Sequence, residues 1–448
     1  MSEQAIYGDT AYCGVGLINR SGNGALPVGE HDFAEAMDRC VLVDKTMFIA
    51  DVLDADASVV ACCRPEGFGK SMNLSMLKAF LERPAVGRAD RSLFAGSRIW
   101  DADGGRYRGE YACYPVVSQD FSGAAGSGAV VAGVVRDALS SECVRLLPFL
   151  EAPDLPRDKV RHIERVARGA ANEDEVDSVL AVLIELLEMA CDEQVVLLVD
   201  GYDAAWLSRA GIRGTRDDGS AELLDRVLFD AIVAAGDSMR LACLMGECSG
   251  PAEAALASRD CSYCSAIPLS TWCDRWFGFS DAEVEALLSH AGREEYLDDA
   301  REWLEGYRFG GAYCSSPARV IGFLDRGCTP PVRADLYGYA DCLSRAVCDW
   351  NLDRLSVLFD LLEAHGCVEV LLCLGAAGSN GACDDDVWAA LYLSGFLTTL
   401  AFVLCACPIT SFARHCAWSL SNGLNAPPRM CETSMRSAMG YAAVMRAR

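Results

Sequence analysis

Residues 57–77, ASVVACCRPEGFGKSMNLSML, put an apolar run directly before a glycine-rich loop and an amphipathic segment directly after it. Strand, loop and helix in that order is the context in which GKS reads as a phosphate-binding loop rather than a chance tripeptide. In such a loop the backbone N–H groups around Gly67 to Ser71 wrap a β-phosphate, helped by the dipole of the following helix. Lys70 would neutralise the β- and γ-phosphates, the Ser71 hydroxyl would ligate Mg²⁺, and Gly69, lacking a Cβ, would admit close backbone approach. The helix is expected to bury Met72, Met76, Leu77 and Phe80 and to stop at Pro84. The spacing departs from GxxxxGK[ST] at one place, where Arg64 fills the first glycine position. The candidate nucleotide-binding loop is thus Arg64, Pro65, Glu66, Gly67, Phe68, Gly69, Lys70 and Ser71.

Four more apolar runs follow: YPVVSQDF (114–121), QVVLLVD (194–200), MRLACLMG (239–246) and SAIPLS (265–270). Between them EVDSVLAVLIELLEMA and AELLDRVLFDAIVAAG carry apolar residues at helical spacing. Five strands with crossover helices predict an α/β fold, a P-loop parallel sheet with flanking helices. From SDAEVEALLSHAG onward helical patterns dominate, with Ser280 as N-cap and Glu283 completing a capping box. A smaller, mainly helical or mixed domain is expected there. The layout expected is an N-terminal extension over 1–25, a nucleotide-binding domain over 26–275, a second domain over 276–400, and an atypical basic tail over 401–448, disordered or degenerate.

A phosphate loop of this kind needs a second carboxylate for the magnesium, at the end of a neighbouring apolar strand. Asp200, closing VVLLVD, supplies it, so Ser71 and Asp200 are the candidate metal ligands. Hydrolysis needs in addition a group that orients or deprotonates water. The position after the magnesium aspartate, commonly glutamate, is Gly201; Asp203 and Glu247 are the candidate substitutes.

Sixty-four acids against 39 bases give a net charge of -25, which argues against broad attraction to DNA or to an anionic membrane, although a local basic groove is compatible with it. Nothing reads as a basic recognition helix, so a nucleic-acid partner is left undecided. Twenty-three scattered cysteines in a long chain, with no export signal at the N-terminus, indicate reduced thiols and a cytoplasmic location. Cys261 and Cys264 form one CxxC that Cys243, Cys248 or Cys273 could complete as a zinc site; with no second pair, buried inert thiols are the stronger reading. The uncharged run 387–413 is long enough to cross a bilayer. Its internal Gly395 and Pro408 favour a buried helical hairpin, so a membrane is disfavoured as a partner.

These motifs resemble the AAA-ATPase-like family of prokaryotic proteins, often joined to a restriction-type nuclease domain. The resemblance runs through LPVGEHDF (26–33), VLVDKTMFIADVL (41–53) and CRPEGFGKSMNLSMLKAF, where the family shows RPRRFGKS followed by NLSML, and it accounts for Arg64. VVLLVDGYD is similar to the family's LIDEYD stretch, and FGFSDAEVEALL (277–288), EWLEGYRFGGAYCSSPARVIGFL (302–324) and DDVWAALYLSGFLT (385–398) match later blocks in order. It implies a bacterial protein that binds ATP with Mg²⁺, and it points to Arg308, in GYRFGG, as an arginine reaching the γ-phosphate from the second domain.

The departures bear on turnover. Gly201 replaces the glutamate of DEYD, Glu66 and Gly67 stand where arginines are common, and Met245 replaces a threonine resembling the polar sensor of ATPases. The NPWS block is altered to Ser315, Ser316, Pro317 and Ala318. After residue 400 the chain holds five arginines, one acid (Glu432) and no lysine, so the acid-and-lysine centre of a nuclease is expected to be absent. The leading expectation is an ATP-binding protein whose hydrolysis is weak or lost. The alternatives are an active ATPase using Asp203 or Glu247 as base, and a decayed pseudo-ATPase acting as a scaffold for a protein partner.

Overall fold

A computed structural model describes residues 16–20, 22, 24–209, 220–256, 261–266, 270–304, 306–329, 367–368, 392, 397–400 and 403–406. The chain opens with β1 (Leu17–Ile18), α1 (Phe33–Arg39), β2 (Leu42–Val43) and α2 (Phe48–Leu53). The α/β unit follows: β3 (Val59–Cys63), α3 (Lys70–Leu81), α4 (Arg98–Asp101), β4 (Val116–Asp120), α5 (Gly128–Leu146), α6 (Arg157–Ala167), α7 (Glu173–Cys191) and β5 (Val195–Asp200). It continues with α8 (Ala204–Arg209), α9 (Ser220–Leu224), α10 (Ala231–Ala235), β6 (Met239–Gly246), α11 (Gly250–Leu256) and β7 (Tyr263–Ala266).

All five strands of the sheet are parallel, in the order β4-β5-β6-β3-β7. The three central strands, β3, β5 and β6, read as nearly unbroken apolar runs because both of their faces are covered, as buried parallel sheets require. On β3, Val59, Ala61 and Cys63 face one helical layer while Val60 and Cys62 face the other. On β5, Val195, Leu197 and Val199 alternate with Val196 and Leu198 in the same way. The first layer is built on α5, α6, α7 and α10, the second on α1, α2 and α3.

Four of the expected strands fall where the apolar runs lie. The fifth is shifted: the strand is Tyr263–Ala266, not 265–270. Ser58 and Ser262 bond each other's backbone and side chain just before the two strands, which starts the β3–β7 pairing at Val59 and Tyr263. The helix α3 ends at Leu81, and its buried face is Asn73, Leu74, Met76, Leu77, Phe80 and Leu81. Met72, expected to be buried, is only partly covered and borders the cleft described below.

Beyond the sheet come α12 (Asp281–His290), α13 (Leu297–Leu304), the antiparallel hairpin β8 (Tyr307–Phe309) and β9 (Ala312–Cys314), and α14 (Pro317–Asp325). This smaller, more helical region has its own apolar cluster of Val284, Leu287, Ala300, Leu304, Val320 and Phe323, with Val41 contributed from the N-terminal segment. Ser280 caps α12 in the expected capping box with Glu283. Further on, β10 (Cys367–Val368), β11 (Leu397–Leu400) and β12 (Val403–Ala406) form a sheet of order β10-β12-β11. The run 387–413 therefore contains two antiparallel strands in place of a helical hairpin; its remainder, Tyr392 apart, lies outside the described residues, as does the basic tail from 407 on. No helix among the described residues is long and apolar enough to cross a membrane.

Candidate functional site

The carboxyl ends of the parallel strands open onto a cleft of about 610 Å³, in the place where open α/β sheets bind ligands. Its walls combine polar groups, among them Glu66, Lys70, Ser71, Asp120, Asp200, Asp203 and Glu247, with apolar ones, among them Val28, Met72, Met76, Phe279, Leu287 and Ile321.

The loop between β3 and α3 has the backbone its glycines permit. Gly67 and Gly69 both have φ of +82°, the left-handed region that side chains rarely adopt. At Gly69 an added Cβ would meet nothing within 4 Å, so it is the dihedral, not crowding, that demands glycine there. Gly69 stands as N-cap of α3, and Lys70 and Ser71 open the helix at the cleft. Lys70 Nζ donates to the carbonyls of Arg64 (2.8 Å) and Pro65 (3.0 Å), folding back along the loop. Ser71 Oγ donates to Asp200 Oδ2 at 2.5 Å.

Asp200 is not on the strand next to the loop. β6 lies between β3 and β5, and the contact is made because Ser71 reaches from α3 across the end of β6. Burial raises the Asp200 carboxyl above its ordinary range, opposed by the Ser71 hydroxyl and then by the charge of Lys70. Asp120 pairs in register with Asp200 and pushes in the same direction as burial. Its carboxylate accepts from Ser122 N (2.9 Å) and Oγ (2.6 Å). Asp120 escaped sequence reasoning, although an acid closing an apolar run on the loop's side of the sheet was the signal.

Two loop residues do not meet the cleft. Arg64 is completely buried and its guanidinium donates to Ala266 O (2.6 Å) and Cys63 O (2.8 Å). It lies between the rings of Phe277 (5.2 Å) and Phe309 (4.8 Å), where the π faces replace water around the cation. Burial lowers its affinity for a proton. Arg64 therefore offers a nucleotide no side chain, and Pro65, also buried, offers none either; both contribute carbonyls to Lys70. Arg308 is a second correction. It lies on β8 between Tyr307 and Phe309, and strand alternation turns it away from the loop that those two rings contact. Its guanidinium sits over Tyr313 at 5.5 Å, and it does not line the cleft.

The candidate bases differ in their commitments. Asp203 is buried, and its Oδ2 accepts from the amides of Glu247 and Cys248, both at 2.7 Å. It holds the turn after β6, which leaves it poorly placed to take a proton from water. Burial raises its carboxyl, against the pull of those two amides. Glu247, also buried, lines the cleft with Lys70 and Asp200. At Gly201 φ is +65°, and an added Cβ would lie 2.4 Å from both Ser122 Cα and N.

Cys261 and Cys264 are partly covered, and no group of three or more metal-ligating side chains is found among the described residues. That finding does not bear on magnesium, which in P-loop sites takes one or two protein oxygens together with phosphates and water.

A parallel sheet carrying this loop, lysine, serine and strand-end aspartate is that of a P-loop NTPase. Residues 27–247 match the model of the AAA-ATPase-like family, described as "Predicted AAA-ATPase". No curated protein matches the chain. Among solved structures, a Walker-type ATPase of Pyrococcus abyssi is similar at a TM-score of 0.40 and 12% identity, covering 82% of this chain and 94% of that one, a likeness too loose to carry any argument.

Proposed function

We propose that the protein binds Mg-ATP in this cleft and hydrolyses it weakly or not at all, nucleotide acting as a structural ligand or a switch. The observation that carries the reading is the 2.5 Å hydrogen bond from Ser71 Oγ to Asp200 Oδ2 beside Lys70. It brings together the hydroxyl and carboxylate that such sites turn toward the metal, at the mouth of the loop that would hold the phosphates. Mg²⁺ fits these donors: both are hard oxygens, and the Ser71 hydroxyl and Lys70 favour the ionised form of Asp200. Ser71 and Asp200 would hold the ion, which when bound supplies charge neutralisation at the β- and γ-phosphates. The backbone from Gly67 to Ser71 would cradle the phosphates, and apolar residues of the cleft wall such as Val28, Met76, Phe279 and Ile321 would take the base.

Weak turnover is supported at three positions. Gly201 stands where the family resemblance expects a carboxylate, and Ser122 leaves a side chain no room there. Met245 has no group that hydrogen-bonds a γ-phosphate strongly. Asp203 spends one oxygen on two amides. Glu247 supports a second reading, an active ATPase with this residue as base, because it lines the cleft with Lys70 and Asp200. Steady-state phosphate release by wild type and Lys70→Ala separates them. Equal background rates support binding without turnover; a wild-type rate well above Lys70→Ala that collapses in Glu247→Gln establishes the second. We place the protein in the cytoplasm, and read 26–275 and 276–400 as its nucleotide-binding and C-terminal domains.

A further inference from the structure

The N-cap of α14 is Ser316, yet its side chain makes no capping hydrogen bond to its own helix. An N-cap serine ordinarily accepts from the amide two or three residues on. Here the hydroxyl instead donates to the carbonyl of Gly67 in the phosphate loop, 3.0 Å away and 249 residues distant in the chain. The amide of Ala318, second residue of the helix, donates to the same carbonyl at 3.1 Å. The loop thus caps α14, satisfying an amide left open at the start of this helix, whose first residue, Pro317, has none.

This bond has a consequence on the other side of the peptide. In a trans peptide the carbonyl and the following N–H point in opposite directions. With Gly67 C=O held outward by Ser316 and Ala318, the N–H of Phe68 is turned the opposite way, away from α14. The Phe68 side chain is pinned as well: it is buried in a slot where Tyr307 and Phe309 meet its ring edge-on, at 4.8 and 4.9 Å. At the root of the loop, Arg64 lies against the same Phe309. Root, apex and one peptide plane of the loop are therefore fixed by residues 307–318.

We propose that Ser316 is a positioning residue for nucleotide binding, acting through the Gly67 carbonyl, so that occupation of the phosphate loop and seating of α14 reinforce each other. The proposal rests on the Mg-ATP reading above. Reciprocity follows from linkage: if α14 shapes the loop for phosphate, phosphate in the loop tightens α14 by the same factor. Ser316 is 2% exposed, so its hydroxyl has no solvent to fall back on, and its removal leaves the loop peptide held by one donor instead of two.

The test is an Mg-ATP titration of wild type and Ser316→Ala, with hydrogen–deuterium exchange of both proteins and of Lys70→Ala, with and without Mg-ATP. Expected is a loss of about tenfold in ATP affinity for Ser316→Ala, the scale of one buried hydrogen bond. In wild type, Mg-ATP should slow exchange at the amides of 318–325; in Lys70→Ala it should not. The proposal is overturned if Ser316→Ala binds ATP as wild type does, even with a lower melting temperature, since the hydroxyl would then serve the fold alone. It is equally overturned if Mg-ATP protects the loop but leaves exchange over 318–325 unchanged in wild type, a measurement that needs no variant. Failure of wild type to bind ATP at all is a different result: it removes the Mg-ATP reading and this proposal with it.

Discussion

At position 201 a side chain would be driven into the backbone of Phe121 and Ser122, on a residue whose φ of +65° already disfavours one. Gly201→Glu, which would place a carboxylate directly after Asp200, should therefore cost at least about 2 kcal/mol of unfolding free energy in urea, from left-handed strain and overpacking together. Its phosphate release should stay at the wild-type level. Asp203 allows a second prediction. Asp203→Ala leaves two buried amides without an acceptor and should cost about 2–5 kcal/mol, whereas Asp203→Asn keeps an oxygen there and should cost less. The pH dependence follows from the raised carboxyl. The folded protein keeps that proton to higher pH than the unfolded chain, so the stabilisation is complete below the ordinary aspartate value and is lost as pH rises through the folded one. The stability of wild type minus that of Asp203→Asn should fall over this window, measured by urea unfolding at successive pH values.

Among the elements, Arg64 shows where reading the chain stops. Its oddity in the loop was plain, but its partners Ala266, Phe277 and Phe309 lie some 200 residues on, and no local pattern couples them. The central strands β3, β5 and β6 were legible because a parallel strand covered on both faces is apolar along most of its length. So was the Ser71–Asp200 pair, since strand ends and loop share one edge of the sheet. The position of β6 between β3 and β5 was not legible, because strand order depends on tertiary packing and leaves no mark on the strands. The Ser316–Gly67 bond was hidden for the same reason as Arg64. Replacing Arg64 by the glycine of the general loop pattern should destabilise the fold by about 3–5 kcal/mol, since it removes the donor to two buried carbonyls and leaves a void between two rings. Arg64→Lys should cost less but not nothing, as lysine keeps the charge and loses the planar stack. Denaturant midpoints of the three proteins check the order.

For the molecule as a whole, the cleft is walled by the N-terminal segment around Val28 and Phe33, the phosphate loop with α3 and the strand ends of the sheet, and residues from 276–322 that include α12 and α14. Lys45, partly buried, ties the N-terminal segment to α12, donating to both oxygens of Glu283 at 2.7 and 2.8 Å. A ligand that fills the cleft therefore bridges the N-terminal segment, the sheet and the α12–α14 region, and should raise the melting temperature. At 100 times its dissociation constant Mg-ATP would add about 2.7 kcal/mol. The most direct test is an equilibrium titration of the purified protein with ATP, with and without Mg²⁺, set beside Lys70→Ala. Saturable binding that Mg²⁺ strengthens and that Lys70→Ala abolishes is the result expected; no binding by wild type, or equal binding by both proteins, would contradict a phosphate site built on the loop, Ser71 and Asp200.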